Sequence, residues 1–394
     1  MKIVQINDGC GIGSIGKISV AISKLLTEKE VENYILYSSY DKSTYPLGIK
    51  YTNKYYIKLQ ALLSRVTGRY GFVSGAATRK LLRELKKIKP DVVHLHNLHA
   101  HNVNLNALFK YIRENNIKAY WTFHDCWAMT GYCPHFTMAG CDKWMTGCGD
   151  CPQRRDYTWF FDKSAKNWSR KKELIESVDM TVITPSDWLA DIVKKSYFKN
   201  CPIYTLYNGI NLNVFTPTES DFREKYGIQD KIVLLGVAFA WTQKKGLDVF
   251  LELSKRLDKN YQIVLVGTDD ETDKQLPGNI ISIHRTKNQR ELAEIYSSAD
   301  ILVNPTREDT FPTVNMEAIA CGTPVVSFDV GGCRETIAEG CGECTEENTV
   351  DNMEALIRKV YGNVSKYVEN CNKNREIYDE CKRISRYLQI YGIE

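Results

Sequence analysis

Residues 303–332, VNPTREDTFPTVNMEAIACGTPVVSFDVGG, read as a strand, a helix and a second strand in close succession. The apolar residues before Asn304 suit a buried strand, Pro312 suits the first turn of a helix, and Gly322 followed by Pro324 suits the end of that helix. The pattern therefore predicts a helix over residues 313–321. The unpaired N–H groups at a helix start carry a partial positive charge, which in an open α/β sheet favours a bound diphosphate.

Two carboxylates of this segment lie near the start of the predicted helix. Asp309 lies at the mouth of the predicted helix and Glu317 lies one turn further in. Helical side chains lean toward the N-terminus, so the Glu317 carboxylate is expected to point back toward a ribose or sugar hydroxyl. Because Pro312 has no N–H group, Thr313 and Val314 must supply the amides at the helix start.

The Asp-x7-Glu spacing, followed by Ala-x-Ala-Cys-Gly-Thr-Pro-Val-Val, closely resembles the donor-binding segment of retaining GT-B glycosyltransferases of family 4. That family usually has Glu at the first position, so Asp309 is one methylene shorter, and it usually has Phe-Gly where this chain has Phe311-Pro312. The chain looks closest to the polysaccharide-assembly branch. Further matching motifs are PDVVHLHN (90–97), TFHD (122–125), PSDWL (185–189), NGI (208–210) and KG (245–246).

The resemblance implies an α/β protein with two doubly wound, Rossmann-like domains whose parallel sheets face an interdomain cleft. The length of 394 residues and the alternation of strand and helix patterns in both halves agree with two domains. We expect an acceptor-side domain at 1–203, a nucleotide-sugar-binding domain at 204–375, and a helix at 376–394 that braces the first domain. Residues 200–217, which contain Asn-Gly and two prolines, are interpreted as the hinge.

The resemblance also implies an activity: retaining transfer of a sugar from a UDP- or GDP-linked donor to a saccharide acceptor, lipid-linked, in surface polysaccharide synthesis, without a catalytic metal. His124 would approach the transferred sugar, although a capping or core histidine is the alternative, and Asp309 and Glu317 would position sugar and ribose. The family usually has an arginine where this chain has Ala240, so Lys244 or Arg307 could substitute. The donor contacts expected are Gly13, Gly16, Lys245, Thr310, Phe311, Thr313, Val314 and Glu317.

The glycine loop GIGSIG, residues 11–16, matches the G-x-G-x-x-G pattern of dinucleotide-binding sites between a strand and a helix. The acid expected on the next strand is missing from residues 34–38, and Asp41 is only a distant candidate. An NAD-dependent oxidoreductase is therefore an alternative function. A zinc-stapled protein that binds nucleotide sugar without turning it over is another.

A cysteine-rich insert, residues 126–152, contains Cys133, Cys141, Cys148 and Cys151 in the spacing C-x7-C-x6-C-x2-C. Four thiolates can close a tetrahedron around zinc, so a structural zinc is predicted, with reduced thiols as the alternative. Four histidines, at positions 94, 96, 99 and 101, are also closely spaced, as ligands of a metal can be. We discount them as a metal site, because a strand and a loop need not bring them together.

Residues 50–89 contain eleven Lys or Arg and one acidic residue, Glu84, interleaved with apolar residues from Tyr55 to Phe72. This composition suits an anionic membrane surface. A nucleic-acid site and an ordinary solvated helix pair are the competing interpretations, and we expect no nucleic-acid partner. With neither a secretion signal nor a spanning segment in the sequence, we predict a cytoplasmic protein, peripheral at the inner face of the plasma membrane if the basic stretch binds lipid.

Overall fold

A computed structural model describes residues 1–38 and 43–393, and the chain divides into two compact units. The first unit comprises Met1–Tyr207 and Ile384–Glu394, and the second comprises Asn208–Arg383. Asp41, the distant candidate for a ribose-binding acid, lies outside the described residues. Within them, no helix combines the length and the apolar character needed to cross a bilayer.

The first unit is built on a parallel sheet, whose strand order in the described chain is β3-β2-β1-β4-β5-β6-β7. Its central strands are buried almost along their whole length, as expected of a parallel sheet with both faces covered. The strands are β1 (Lys2–Asn7), β2 (Glu32–Tyr37), β3 (Gly48–Lys50), β4 (Val92–Leu95), β5 (Lys118–Thr122), β6 (Met180–Thr184) and β7 (Ile203–Thr205).

The helices of the first unit alternate with these strands, as the sequence pattern predicts. They are α1 (Gly13–Glu28), α2 (Lys54–Thr67), α3 (Gly75–Ile88), α4 (Leu105–Glu114), α5 (Arg154–Tyr157), α6 (Ser164–Ile175) and α7 (Asp187–Lys194). The cysteine-rich insert between β5 and α6 has short 3-10 turns at Trp127–Met129 and Lys143–Met145.

The second unit repeats the architecture, with the described strands in the order β10-β9-β8-β11-β12-β13. They are β8 (Ile232–Val237), β9 (Tyr261–Val266), β10 (Ile280–Ile283), β11 (Ile301–Asn304), β12 (Val325–Ser327) and β13 (Gly342–Cys344). The helices that follow α7 are α8 (Phe222–Lys225), α9 (Leu247–Arg256), α10 (Asp270–Asp273), α11 (Gln289–Ser297), α12 (Thr313–Ala320), α13 (Val350–Tyr361), α14 (Val364–Asn374), α15 (Glu380–Ile384) and α16 (Arg386–Tyr391). Two Rossmann-like parallel-sheet units are thus confirmed.

The unit boundaries differ from the expected ones at residues 203/204 and 375/376. Strand β7 pairs with β6 and keeps the chain in the first unit through Tyr207. Residues 376–383 stay in the second unit because Ile210 forms an isolated bridge with Asp379, and its N–H donates to the carbonyl of Tyr378 at 2.8 Å. The return to the first unit therefore begins at Ile384.

Helix α16 packs on the first unit through aromatic side chains that are buried there. Tyr391 approaches His94 on β4, with its hydroxyl 2.5 Å from Nδ1, and Tyr120 on β5 donates to the carbonyl of Ile390 at 3.0 Å. Tyr387 and Tyr391 join a cluster that includes Ile3 of β1. The last helix thus covers the sheet of the unit that contains the N-terminus.

Candidate functional site

The strand order of the second sheet places the loops after β8 and β11 side by side, and these loops contain both basic and acidic residues. The chain leaves β8 toward β9 on one side and leaves β11 toward β12 on the other, so the switch point of this sheet lies between β8 and β11. Open α/β sheets bind their ligands at such a point, beyond the carboxyl ends of the strands. The loop after β8 contains Lys245, and the loop after β11 contains Asp309. Their side chains form an ion pair of 2.8 Å between Nζ and Oδ2.

Neighbouring charges on the same two loops are paired as well. Lys244 lies 3.0 Å from Glu308, and Arg307 makes two contacts of 2.7 Å with the carboxylate of Asp248. Arg307 also donates to the carbonyl of Gln243. The two cations considered as substitutes for the family arginine are therefore held by carboxylates in this structure.

Helix α12 begins at Thr313, as the sequence predicts, and Pro312 is its N-cap residue with an extended backbone. The first N–H groups of a helix have no partner within the helix, so the amides of Thr313 and Val314 belong to the set that a ligand can use. The N–H of Phe311 donates to Asp309 Oδ1 at 3.2 Å. Thr310 and Phe311 are buried, whereas Thr313 and Val314 are partly exposed.

A buried asparagine on this helix fixes its start relative to the sheet, and no local sequence pattern indicates this role. Asn315 accepts from Asn304 Nδ2 at 2.9 Å at the end of β11, and it donates to Thr336 Oγ1 at 2.9 Å. All three side chains are buried. The helix start is thereby tied to the end of β11 and to the loop after β12.

Glu317 lies one turn into α12 and is half-buried. Tyr296, on α11, donates its hydroxyl to Glu317 Oε2 at 3.0 Å. Burial is the main reason that the pKa of Tyr296 lies well above its usual value, and the charge of Glu317 raises it further. Tyr296 therefore acts as a donor that orients the carboxylate predicted to contact the ribose.

Two glycines allow the loops of this site to pack closely. Gly331 has a φ of +60°, and a Cβ there would lie 1.8 Å from the carbonyl oxygen of Asp309. Gly246 has a φ of +78°, and a Cβ there would lie 2.5 Å from Pro305. A side chain at either position would push the β8, β11 and β12 loops apart.

In the first unit, the switch point lies between β1 and β4, and a series of hydrogen-bonded polar side chains crosses it. Gln5 on β1 donates through Nε2 to the carbonyl of Ser19 at 2.9 Å, and its Oε1 lies 3.0 Å from His96 Nε2. His96 Nδ1 in turn lies 3.2 Å from Nε2 of His124, which follows β5. Burial lowers the pKa of His124 to about 4, so its ring is neutral at pH 7.

A second polar group lies beside His124. His99 Nε2 forms a 2.8 Å ion pair with Asp125 Oδ2, and the N–H of Trp127 donates to Asp125 Oδ1 at 2.8 Å. Burial opposes the charge on Asp125, but His99 lowers its pKa to about 2. Burial also opposes the charge on His99, but Asp125 raises the pKa of His99 overall. Asp8 lies close by, and its pKa is raised by burial and partly lowered by His99.

His124, His99, Asp125 and Trp127 line a narrow pocket. The sequence identified His124 and not the His99–Asp125 pair, because residues 26 positions apart give no local signal for pairing. The rings of His94 and His96 are tilted by 36° with centroids 4.2 Å apart, and both nitrogens of His94 are engaged, by Tyr391 and Thr122.

The glycine loop, residues 11–16, runs into the first turn of α1, which starts at Gly13. Gly13 has a φ of +69°, and a Cβ on Gly16 would lie 3.2 Å from the backbone nitrogen of Gly11. The loop is further closed by a hydrogen bond of 2.9 Å from the N–H of Gly11 to the carbonyl of Gly16. The backbone of the loop thus explains why glycine occupies positions 13 and 16. The role of these two residues as donor contacts stays a prediction.

The insert brings its four cysteines into one neighbourhood. Burial is the main reason that the pKa of Cys133 rises to about 12, and the thiols of Cys151, Cys148 and Cys141 also raise it. In the remaining three pairs of these thiols, Cys141 and Cys151 raise the pKa of Cys148, and Cys141 raises that of Cys151. Across residues 1–38 and 43–393, however, no three His, Cys, Asp or Glu side chains converge to hold a metal ion. The zinc site stays a prediction.

The basic stretch forms α2 and α3, as predicted. Four apolar side chains of α2 are exposed: Tyr55, Leu59, Leu62 and Leu63. Tyr70 and Phe72, at the end of the interleaved apolar residues, are instead buried in the core of the first unit.

Comparisons with known proteins agree with this architecture. Residues 20–214 match the model of Glycosyltransferase Family 4, and residues 218–377 match that of Glycosyl transferases group 1. A protein named as the colanic acid biosynthesis glycosyl transferase WcaC of Escherichia coli (strain K12) is 23% identical over 99% of both chains. N,N'-diacetylbacillosaminyl-diphospho-undecaprenol alpha-1,3-N-acetylgalactosaminyltransferase of Campylobacter jejuni is 30% identical over 46% of this chain and 52% of its own length.

Solved structures share the whole fold. Sucrose-phosphate synthase from Thermosynechococcus elongatus has a TM-score of 0.74 at 16% identity, with 100% of this chain and 98% of that chain covered. HepE from Anabaena, in complex with UDP, has a TM-score of 0.71 at 15% identity, with 100% of both chains covered. With two family models that together take in most of its residues, this chain belongs to the GT-B glycosyltransferases.

Proposed function

We propose that this glycosyltransferase moves a sugar from a UDP- or GDP-linked donor to a saccharide acceptor with retention of the anomeric configuration, in surface polysaccharide synthesis. The observation that carries the proposal is the Lys245–Asp309 pair at the switch point of the second sheet, beside the start of α12. An ammonium group and a helix start together form a site for a diphosphate. Among the similar structures, HepE is described in complexes with UDP and with UDP-glucose, which supports a nucleotide-sugar donor.

In the proposed reaction, the bond between the anomeric carbon and the diphosphate oxygen breaks, and the diphosphate takes the electron pair. Lys245 and the amides of Thr313 and Val314 stabilise its developing charge without a catalytic metal. The acceptor hydroxyl bonds to the anomeric carbon on the same face, and its proton passes to an oxygen of the departing diphosphate. His124 and Asp309 position the sugar, and Glu317 positions the ribose.

We propose a lipid-linked acceptor and a peripheral position at the membrane. The exposed leucines of α2 lie on a helix whose stretch of sequence is strongly basic, a combination that suits an anionic lipid surface. The C. jejuni relative is named for a diphospho-undecaprenol acceptor, which also supports this assignment. Vesicles with anionic lipid should bind the protein at low salt and release it at high salt, whereas no binding at low salt would remove the membrane proposal.

Thermal shift with UDP, GDP and NAD tests the donor class first. Stabilisation by UDP or GDP is expected, and stabilisation by NAD alone would favour the oxidoreductase suggested by the glycine loop. Turnover of nucleotide sugars, followed by mass spectrometry, then separates an enzyme from a binding protein.

Substitutions test the assigned residues. Glu317→Ala should weaken donor affinity and turnover by about tenfold, the effect of losing one hydrogen bond to a charged group. His124→Ala should mainly lower turnover. Glu294→Ala, on α11 and outside the site, is the control for removing a carboxylate. Unchanged rates in both site variants would refute the assignment.

A further inference from the structure

The first unit has a cationic pocket that the proposed reaction does not use. It lies between the loop after α2 and the N-terminal half of α6, has a volume of about 270 Å³, and is lined by Arg69, Phe72, Lys163, Lys166, Asn167 and Arg170. Four of these six residues are cationic, and no acidic side chain lines the pocket in the part of the chain that the structure describes. An unbalanced group of cations around a concave space favours an anion.

Two sides of this pocket are held in place by contacts within the protein. Arg170 donates through Nε to Asn106 Oδ1 at 2.7 Å, and its guanidinium lies 5.1 Å from the ring centroid of Phe72. Asn167 donates to the carbonyl of Gly68 at 2.9 Å. The positive charge of Arg170 is therefore fixed at the wall, whereas Arg69 and Lys166 are exposed and able to close on a ligand.

An exposed aromatic triplet adjoins the pocket. Trp159, Phe160 and Phe161 are each more than half exposed, at 52%, 61% and 56%. The N–H of Trp159 donates to the carbonyl of Arg65 on α2 at 2.9 Å, and Lys163, which lines the pocket, lies 5.5 Å from the ring centroid of Phe161. Aromatic rings exposed beside cations are typical of surfaces that meet lipid.

We propose that this cationic pocket binds the phosphate group that joins lipid to sugar in the acceptor, with the aromatic triplet against the lipid chain. The inference rests on the proposed lipid-linked acceptor and adds the place where its phosphate is recognised. Arg and Lys are the side chains that bind phosphate oxygens most strongly, and the adjoining apolar surface distinguishes a lipid phosphate from a free one.

Farnesyl diphosphate is the probe, and farnesol, inorganic pyrophosphate and vesicles of phosphatidylcholine and phosphatidylglycerol are the comparison arms. Binding to the full chain is followed by tryptophan fluorescence. Arg69→Gln/Lys166→Gln should weaken the affinity for farnesyl diphosphate by about tenfold or more. Lys110→Gln/Lys172→Gln removes two lysine charges outside the pocket and should leave the affinity for farnesyl diphosphate unchanged. Farnesol and pyrophosphate should each bind more weakly than farnesyl diphosphate.

Equal affinity for farnesyl diphosphate in the pocket variant and the wild type would overturn the proposal, and so would equal binding of farnesol. Loss of vesicle binding in the pocket variant, with farnesyl diphosphate binding retained, would assign the pocket to phospholipid instead. UDP binding is measured on the same samples and should be equal in all three proteins. Absence of UDP binding in the wild type would count against the proposed donor site alone.

Discussion

Nε2 of His124 lies 3.2 Å from Nδ1 of His96, and this contact determines which nitrogen of His124 is protonated. The amide nitrogen of Gln5 is used on the carbonyl of Ser19, so its oxygen must accept from His96 Nε2. Burial lowers the pKa of His96 well below its usual value, so the neutral ring has a lone pair at Nδ1. His124 therefore donates from Nε2, and the lone pair of its ring lies at Nδ1.

This geometry predicts that Gln5 influences turnover through His96, which Gln5 contacts and which in turn contacts His124. Gln5→Met removes the acceptor for His96 and frees both histidines to change tautomer, so the turnover number should fall by about tenfold while donor KM changes little. Gln5→Glu keeps an oxygen at this position and should restore most of the activity. Nitrogen NMR of His124 should show the Nε2-protonated tautomer in the wild type and a mixture in Gln5→Met; the same tautomer in both would contradict the relay.

The Lys245–Asp309 pair leads to a second prediction, which concerns how the enzyme stabilises the diphosphate of the donor. Lys245→Ala removes the ammonium expected to neutralise the diphosphate, and activity should fall by about a hundredfold, the usual effect of losing a group that stabilises developing negative charge. Lys255→Ala removes an exposed lysine that pairs with Glu252 and serves as the control. The measurement is kcat/KM for the best donor from the screen. A Lys245→Ala enzyme as active as the control would exclude this role.

The His99–Asp125 pair predicts a pH dependence of stability. The pKa of Asp125 is lowered to about 2, so its contribution is present above pH 3.8 and is lost as pH falls toward 2. The pKa of His99 is raised, so its contribution is complete below pH 6.5 and is lost as pH rises through the higher folded value. The pair should therefore stabilise most between pH 3.8 and 6.5.

Urea unfolding of the wild type and His99→Gln checks this window. The difference in the free energy of unfolding should be about 2 kcal/mol near pH 5 and smaller at pH 9, where the wild-type histidine is neutral. Asp8 and Lys171 also face this pair, and they raise and lower the pKa of His99, respectively. His284→Gln, which breaks an exposed pair with Asp273, is the control. A difference independent of pH would mean that His99 stabilises only by packing.

Sequence could predict the parts of the site that depend on neighbouring residues. Pro312 and Gly322 mark both ends of α12 because each restricts or permits a backbone conformation locally. The position of Asp309 just before that helix, and of Glu317 one turn into it, follows from the same signals. The three-residue strands β3, β7 and β13 are too short to show an alternation of apolar and polar residues.

Contacts between distant segments could not be predicted in this way. Tyr296 meets Glu317 only because α11 packs beside α12, and Asn315 meets Thr336 only because β12 returns next to β11. The exposed triplet at Trp159 has the composition of a core segment, so its exposure emerges only from the fold. Such pairs and surfaces depend on tertiary packing. The periodicity of a single sequence indicates helices and strands but not which of them pack together.

The cysteine cluster supports the last prediction, a structural zinc. The N–H of Gly131 points at Cys148 Sγ from 3.3 Å, a contact that stabilises a thiolate, and Trp144 donates to the carbonyl of Cys141 at 3.1 Å. Protein purified without chelator should contain about one zinc per chain, as four thiolates bind one ion. Cys148→Ser/Cys151→Ser should lose the metal and melt at a lower temperature, because metal binding contributes to folding. Cys381→Ser, at an exposed position outside the insert, should keep it. Metal-free wild-type protein would show that the four thiols are simply reduced and packed.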